Sequence, residues 1–350
     1  MRKNTVIKTM GAFLLAAALT GCGKTGTEHL DEGYAALSQQ DYRGAGEAFS
    51  RAVLSGENRE EAYRGAGIAY MGRKEYTRAI SSFTEALREA DIKPGAMETD
   101  INYYLATCYY KTGEYDSAIA CYDAITDLKP QEKQAYFLRG NMKLYLGDTE
   151  GAMADFDSAL AVKKNDYSLC LDIYDCMMQH GMGEAGQRYL DTVLTADVKD
   201  ISDSDKGRLC YYSGEYAQAC NYLERARSEG EADAGLIRLL GECYKRQGQY
   251  DYAAVVYSGY VDEHGDAQIC NLCGLCYVEQ GDYEQALSVF LKGQEIKENN
   301  SCMQTLRLNE LACYEYMGDY QNAAKRLKDY IDDYGSSAVL DKEYAFLTTR

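Results

Sequence analysis

Glycine, polar, tyrosine and alanine positions recur along this chain in a fixed order. The order is visible in Gly113-Glu114-Tyr115-Asp116-Ser117-Ala118, Gly214-Glu215-Tyr216-Ala217-Gln218-Ala219 and Gly248-Gln249-Tyr250-Asp251-Tyr252-Ala253. It returns in Gly281-Asp282-Tyr283-Glu284-Gln285-Ala286 and Gly318-Asp319-Tyr320-Gln321-Asn322-Ala323, and without the glycine in Glu75-Tyr76-Thr77-Arg78-Ala79. Ala45, Ala152 and Ala185 complete a series at 45, 79, 118, 152, 185, 219, 253, 286 and 323, spaced 34, 39, 34, 33, 34, 34, 33 and 37. A period near 34 held over eight intervals predicts a repeat array, in which each unit buries its apolar face on its neighbours.

With the alanine numbered 20 in each repeat, position 8 is Gly33, Gly67, Ala106, Gly140, Gly207, Gly241 and Gly274. Position 11 is Tyr70, Tyr109, Tyr244, Tyr277 and Tyr314, and position 24 is Phe49, Phe83, Tyr122, Phe156, Tyr189, Tyr257 and Phe290. Ala52, Ala86, Ala159 and Ala226 stand at position 27. This pattern resembles the tetratricopeptide repeat, a helix–turn–helix unit of 34 residues. The resemblance covers residues 28–331 and implies an all-α, right-handed solenoid of about nine repeats. A small residue at position 8 lets the two helices of a unit approach closely. The fit is imperfect: tryptophan is missing from position 4. The fifth repeat has Asp172 and Ile173 at positions 7 and 8, and its turn is His180-Gly181-Met182-Gly183. Pro94-Gly95 and Asn299-Asn300-Ser301 fall in the two long intervals and predict enlarged loops. Residues 338–347 predict a closing helix within a cap and tail at 332–350, as solenoid ends require.

A chain of 350 residues is too long for one compact core, which suits an array. Its two prolines remove the usual punctuation of all-β folds, while 46% apolar residues and a mean hydropathy of −0.46 exclude disorder and a polytopic membrane protein. Lys and Arg total 37 against 55 Asp and Glu, and the resulting −18 argues against nucleic acid as a partner. The first 21 residues change the picture of where the chain resides. Arg2, Lys3 and Lys8 precede an apolar run from Met10 to Leu19 that ends in Thr20-Gly21-Cys22, a secretory signal too short to span a bilayer. Leu19-Thr20-Gly21-Cys22 resembles the bacterial lipobox. That resemblance implies cleavage before Cys22, lipid on Cys22, a tether at 22–27 and a place on the extracytoplasmic side of a bacterial membrane. Two or more acyl chains give stable anchoring. Cleavage would leave 329 residues at −21. Gly23-Lys24-Thr25 is no phosphate loop, because Ala18 stands where its first glycine belongs.

Of the 33 tyrosines, nineteen occupy framework positions 4, 11, 17, 24 or 27. Thirteen cysteines in an exported chain suggest disulfides, yet Cys108, Cys243, Cys276 and Cys313 all fall at position 10, where cysteine acts as a small hydrophobe. Cys270, Cys273 and Cys276 have iron–sulfur-like spacing, but they share one helix, which cannot easily converge three thiolates. The three histidines lie far apart in sequence. No metal, cofactor or nucleophile–base–acid arrangement is expected.

The family resemblance implies that positions 2, 5, 9, 12 and 13 of first helices line a concave groove. Carried over, these are Tyr103, Tyr110, Phe137, Asn141 and Tyr145 in the third and fourth repeats, and Tyr167, Tyr174, Met177 and Met178 in the fifth. Arg208, Tyr211 and Tyr212 follow in the sixth, then Arg238, Glu242, Lys245 and Arg246 in the seventh. An aromatic stretch beside a basic one predicts capture of another protein or an extended peptide with an acidic segment. The Lys and Asn pair of the family's carboxylate clamp is absent. The expected function is therefore a membrane-anchored interaction scaffold; the alternative is a lipoprotein that captures a peptide or sugar.

Overall fold

The computed structural model describes residues 27–90, 95–197, 199, 201–296 and 302–350. The leader, Cys22 and all of the tether but Thr27 lie outside the described residues, as do Pro94 and Asn299-Asn300-Ser301 of the expected loops. Among the described residues there are nineteen α-helices and no strand. They fall into two compact units, divided between Val193 and Leu194. The first unit holds five helix pairs: Glu28–Ser38 with Tyr42–Ser55, Arg59–Gly72 with Tyr76–Glu89, and Ala96–Thr112 with Tyr115–Leu128, then Lys133–Tyr145 with Thr149–Val162, and Tyr167–Gln179 with Gly183–Leu194. The second holds Asp203–Tyr212 with Tyr216–Ser228, Ala234–Arg246 with Tyr250–His264, Ala267–Glu279 with Tyr283–Glu295, and Met303–Tyr316 with Tyr320–Tyr334. Within each unit most consecutive helices pack as neighbours, and several first helices also touch the first helix of the next repeat. Each unit is a stack of helical hairpins.

The hairpin turn has one recurring requirement. Position 15 takes a left-handed backbone in every repeat, with φ of 82° at Gly113 and 73° at Gly248. Gln40 and Lys74 adopt the same conformation, at 59° and 61°, without glycine's freedom. Lys74→Gly is therefore expected to raise stability by about 1 kcal/mol, read as an increased urea midpoint. The tyrosine at position 17 then opens the second helix, often behind a side-chain cap such as Asp41 or Asp282.

Packing explains why position 8 is small. A Cβ added to Gly33, Gly67, Gly140, Gly241 or Gly274 would meet the ring at position 24 within 2.1–2.6 Å. Those rings, from Phe49, Phe83, Phe156, Tyr257 and Phe290, are fully buried. The fifth repeat reverses the sizes. Its small position 20 is Gly186, which is buried, whereas Ala185 is exposed. Gly186 N donates to Met182 O as Ala152 N does to Asp148 O, so Gly186 is the true counterpart of the anchor alanines. The sequence alignment slips by one residue there. In the corrected register Tyr174 occupies position 8, buried, with its ring 3.5 Å from where a Gly186 Cβ would be. A large residue on the first helix is matched by glycine on the second. Cys176 thereby joins Cys108, Cys243, Cys276 and Cys313 at position 10, all fully buried.

Twelve cysteines are described and none is paired. Burial pushes the thiols of Cys108, Cys121, Cys273 and Cys276 up to about 12. Cys270, Cys273 and Cys276 lie on Ala267–Glu279 in an apolar cluster with Ile269, Tyr257 and Val261. One buried polar network stands out in the first unit. Asp155 receives Arg139 Nε at 2.9 Å and Lys143 Nζ at 2.8 Å, while Arg139 Nη1 reaches Asp123 at 2.7 Å. At the chain end, Ala338–Leu347 places Leu347 against Leu311, Ala323 and Leu327, covering the last repeat.

Candidate functional site

The tyrosine at position 17 is only half-buried in the seven repeats that carry it. Its ring meets position 13 of the following repeat. Tyr115 stacks on Tyr145 with centroids 4.7 Å apart, and Tyr283 stacks on Tyr316 at 4.8 Å. Where position 13 is Gly72, a Cβ there would come within 2.3 Å of Tyr42. The residue at position 13 therefore decides what each platform presents.

In the first unit this rule builds an aromatic cluster across three repeats. Tyr110 packs on Tyr115 at 6.2 Å and on Tyr145 at 5.5 Å, and the Tyr110 and Tyr145 hydroxyls are 3.1 Å apart. His180 meets the Tyr145 ring edge-on at 4.5 Å. Behind the rings, Asn141 is buried, and its Oδ1 lies 3.0 Å from His180 Nε2 and accepts from Cys176 Sγ at 3.2 Å. An amide oxygen only accepts, so the His180 proton sits on Nε2. Lys111 Nζ lies 5.7 Å from the Tyr110 ring. Burial and then the Lys74 charge lower the Lys111 pKa. The cluster thus offers half-buried rings, two adjoining hydroxyls and two nearby ammonium groups, suited to apolar and hydrogen-bonding contact with an acidic or aromatic segment.

Burial lowers the His180 pKa below the ordinary imidazole value of 6.5. The folded chain therefore binds this proton less readily than the unfolded chain. Its contribution to stability is complete above the unfolded value and is lost as the pH falls through the folded one. An NMR titration of the His180 ring is expected to show a midpoint below 6.5. His180→Gln should shrink the stability difference between pH 7 and pH 5.

Several predicted groove residues lie elsewhere. Phe137 is buried against Phe156, with centroids 5.8 Å apart, and Asn141 backs the cluster without facing out. Tyr174 and Met177 are core residues of the fifth repeat, whereas Met178 is 48% exposed. Tyr103 leans edge-on against Tyr122 at 6.1 Å. Tyr167 is partly exposed at the start of its helix. Position 5 is thus a packing site in the third and fourth repeats. Missed by the sequence were Tyr115, counted as framework, and His180 and Lys111.

The predicted basic stretch belongs to the second unit. Tyr211 packs on Tyr212 at 5.6 Å and on Tyr216 at 5.7 Å. Arg208 pairs with Asp205 at 3.3 Å, and Arg238 donates to Gln268 at 3.3 Å. Glu242 holds both Lys245, at 3.0 Å, and Arg246, at 2.9 Å. Burial would raise the Glu242 pKa, but these two cations bring it below the usual carboxylate value. One carboxylate therefore offsets part of the positive charge expected there.

Tetratricopeptide-repeat profiles match residues 30–96, 70–141, 133–166, 204–268, 267–300 and 312–337. The matches pass over 167–203, which contains the size-reversed fifth repeat. The TPR repeat-containing protein MJ1428 of Methanocaldococcus jannaschii is 21% identical over 245 residues, covering 66% of this chain. The chain spans 41% of that relative's length. Among solved structures, a tetratricopeptide repeat protein from Parabacteroides merdae aligns at 18% identity with a TM-score of 0.50, over 83% of this chain and 100% of its own. The human IFIT1 dimer with PPP-AAAA aligns at 14% identity and 0.54, over 100% of this chain and 86% of that one. Period, helix pairs and profile matches agree over well more than half of the length, and the chain belongs to the tetratricopeptide-repeat family.

Proposed function

We propose that this protein is a lipid-anchored scaffold that holds an extended segment of another envelope protein on the first unit. The observation that carries the reading is the half-buried cluster of Tyr110, Tyr115, Tyr145 and His180, flanked by Lys74 and Lys111. Aromatic anchors dominate binding surfaces, and the lysines favour an acidic segment. The family is typically a scaffold for protein and peptide partners, and no catalytic role is assigned here. Leu19-Thr20-Gly21-Cys22 supports the anchor. No described helix is long and apolar enough to cross a membrane.

The test is affinity capture from a membrane extract with the full chain, followed by mass spectrometry of what co-purifies. A protein bound at stoichiometry, and lost with Tyr110→Ala/Tyr145→Ala, is the expected result. A sugar or short peptide recovered instead would support the ligand-capturing alternative. Cys22→Ala should move the protein out of the detergent phase or leave it uncleaved. Unchanged partition and mass would remove the anchor from the account.

A further inference from the structure

The first two repeats contain a second feature, independent of the aromatic cluster. A cleft of about 610 Å³ is lined by Arg43, Glu47, Arg51, Tyr70, Arg73 and Arg78, with Gly46 and Ser50 between them. Four guanidiniums face one carboxylate in that lining. Residues 42–78 hold seven Lys and Arg against five Asp and Glu, although the whole chain is at −18. Three of the arginines are steadied by groups outside the lining. Arg51 is held by Glu32 at 2.7 Å, and Glu75 takes both Arg73 and Arg78 at 2.6 Å. Arg78 also lies 4.1 Å over the Tyr70 ring and donates to its hydroxyl at 2.8 Å.

We propose that this cleft binds a phosphoryl anion. Guanidinium has five N–H donors in a planar fork that matches phosphate oxygens, so a carboxylate on one edge leaves donors for a second anion. Exposed ion pairs such as Arg43–Glu47, with side chains 83% and 61% exposed, are worth little and exchange readily for a dianion. The anion comes either from a soluble phosphomonoester or from a phospholipid headgroup. The headgroup source rests on the anchor reading: Cys22 precedes Glu28 by six residues, which keeps the first repeat within roughly 20 Å of a bilayer. The cleft itself does not depend on that reading.

The experiment is calorimetric titration of the full chain in neutral detergent micelles. One arm uses inorganic phosphate and glycerol 3-phosphate; the other uses micelles doped with phosphatidylglycerol. Saturable binding is expected, weakened about tenfold by Arg51→Ala and by Arg43→Ala. Glu47→Gln should tighten it, a gain that a folding defect cannot produce. Binding in the first arm identifies a soluble phosphate site. Binding in the doped micelles alone identifies a headgroup site. The proposal is overturned if neither arm saturates or if these variants leave the affinity unchanged.

Discussion

Asp155→Ala is expected to lower the stability of the first unit by about 3 kcal/mol, the cost of leaving partly buried cations without their buried carboxylate. Asp155 is 3% exposed, on the second helix of the fourth repeat. It holds Arg139 and Lys143 from the first helix of that repeat, and Arg139 reaches back to Asp123 and to Thr126, at 3.0 Å, in the third. Removing the carboxylate leaves Lys143 without its ion-pair partner and Arg139 with Asp123 alone at the seam between repeats. Urea denaturation followed by circular dichroism measures the loss. A change under about 1 kcal/mol would mean that water reaches this seam and that the network contributes as a surface pair does.

Tyr174→Ala should also cost about 3–5 kcal/mol, as truncation of a buried aromatic does. Tyr145→Ala should cost much less, because its ring is only half-buried. The two tyrosines look equivalent in sequence, both near the middle or end of a first helix. They separate in space because Tyr174 is buried, with its ring over Gly186, whereas Tyr145 is half-buried. Gly186→Val tests the same packing from the other side, since its Cβ would come within 3.1 Å of Met177 Cβ. If Tyr174→Ala abolished partner capture at unchanged stability, Tyr174 would belong to the recognition surface after all.

The stacked hairpins and the closing helix were legible because the packing rule repeats: small at 8 and 20, aromatic at 24. The fifth repeat was misaligned because alanine, a residue type, was followed in place of the physical demand for a small buried residue. Gly186 meets that demand. Gly181 at position 15, the Asp166 cap and Cys176 at position 10 all agree with it, and their spacing could have revealed the slip. The site was half legible. Tyr110 and Tyr145 follow from family positions 12 and 13. Tyr115 was hidden because position 17 does two jobs, packing on one ring face and presenting the other. His180 was hidden because it is the C-cap of its helix, one residue beyond the positions carried over. The partial neutralisation of Lys245 and Arg246 follows from helix spacing, because Glu242 stands three and four residues before them.

Photo-crosslinking tests the central assignment most directly. A benzophenone side chain placed at Tyr145, on the aromatic cluster, is compared with one at Val255, which is 68% exposed on a second helix. Irradiation in native membranes should give a discrete protein adduct from position 145 that Tyr110→Ala weakens, and none from position 255. An adduct from 255 with none from 145 would contradict the assignment of partner capture to the first-helix aromatic surface.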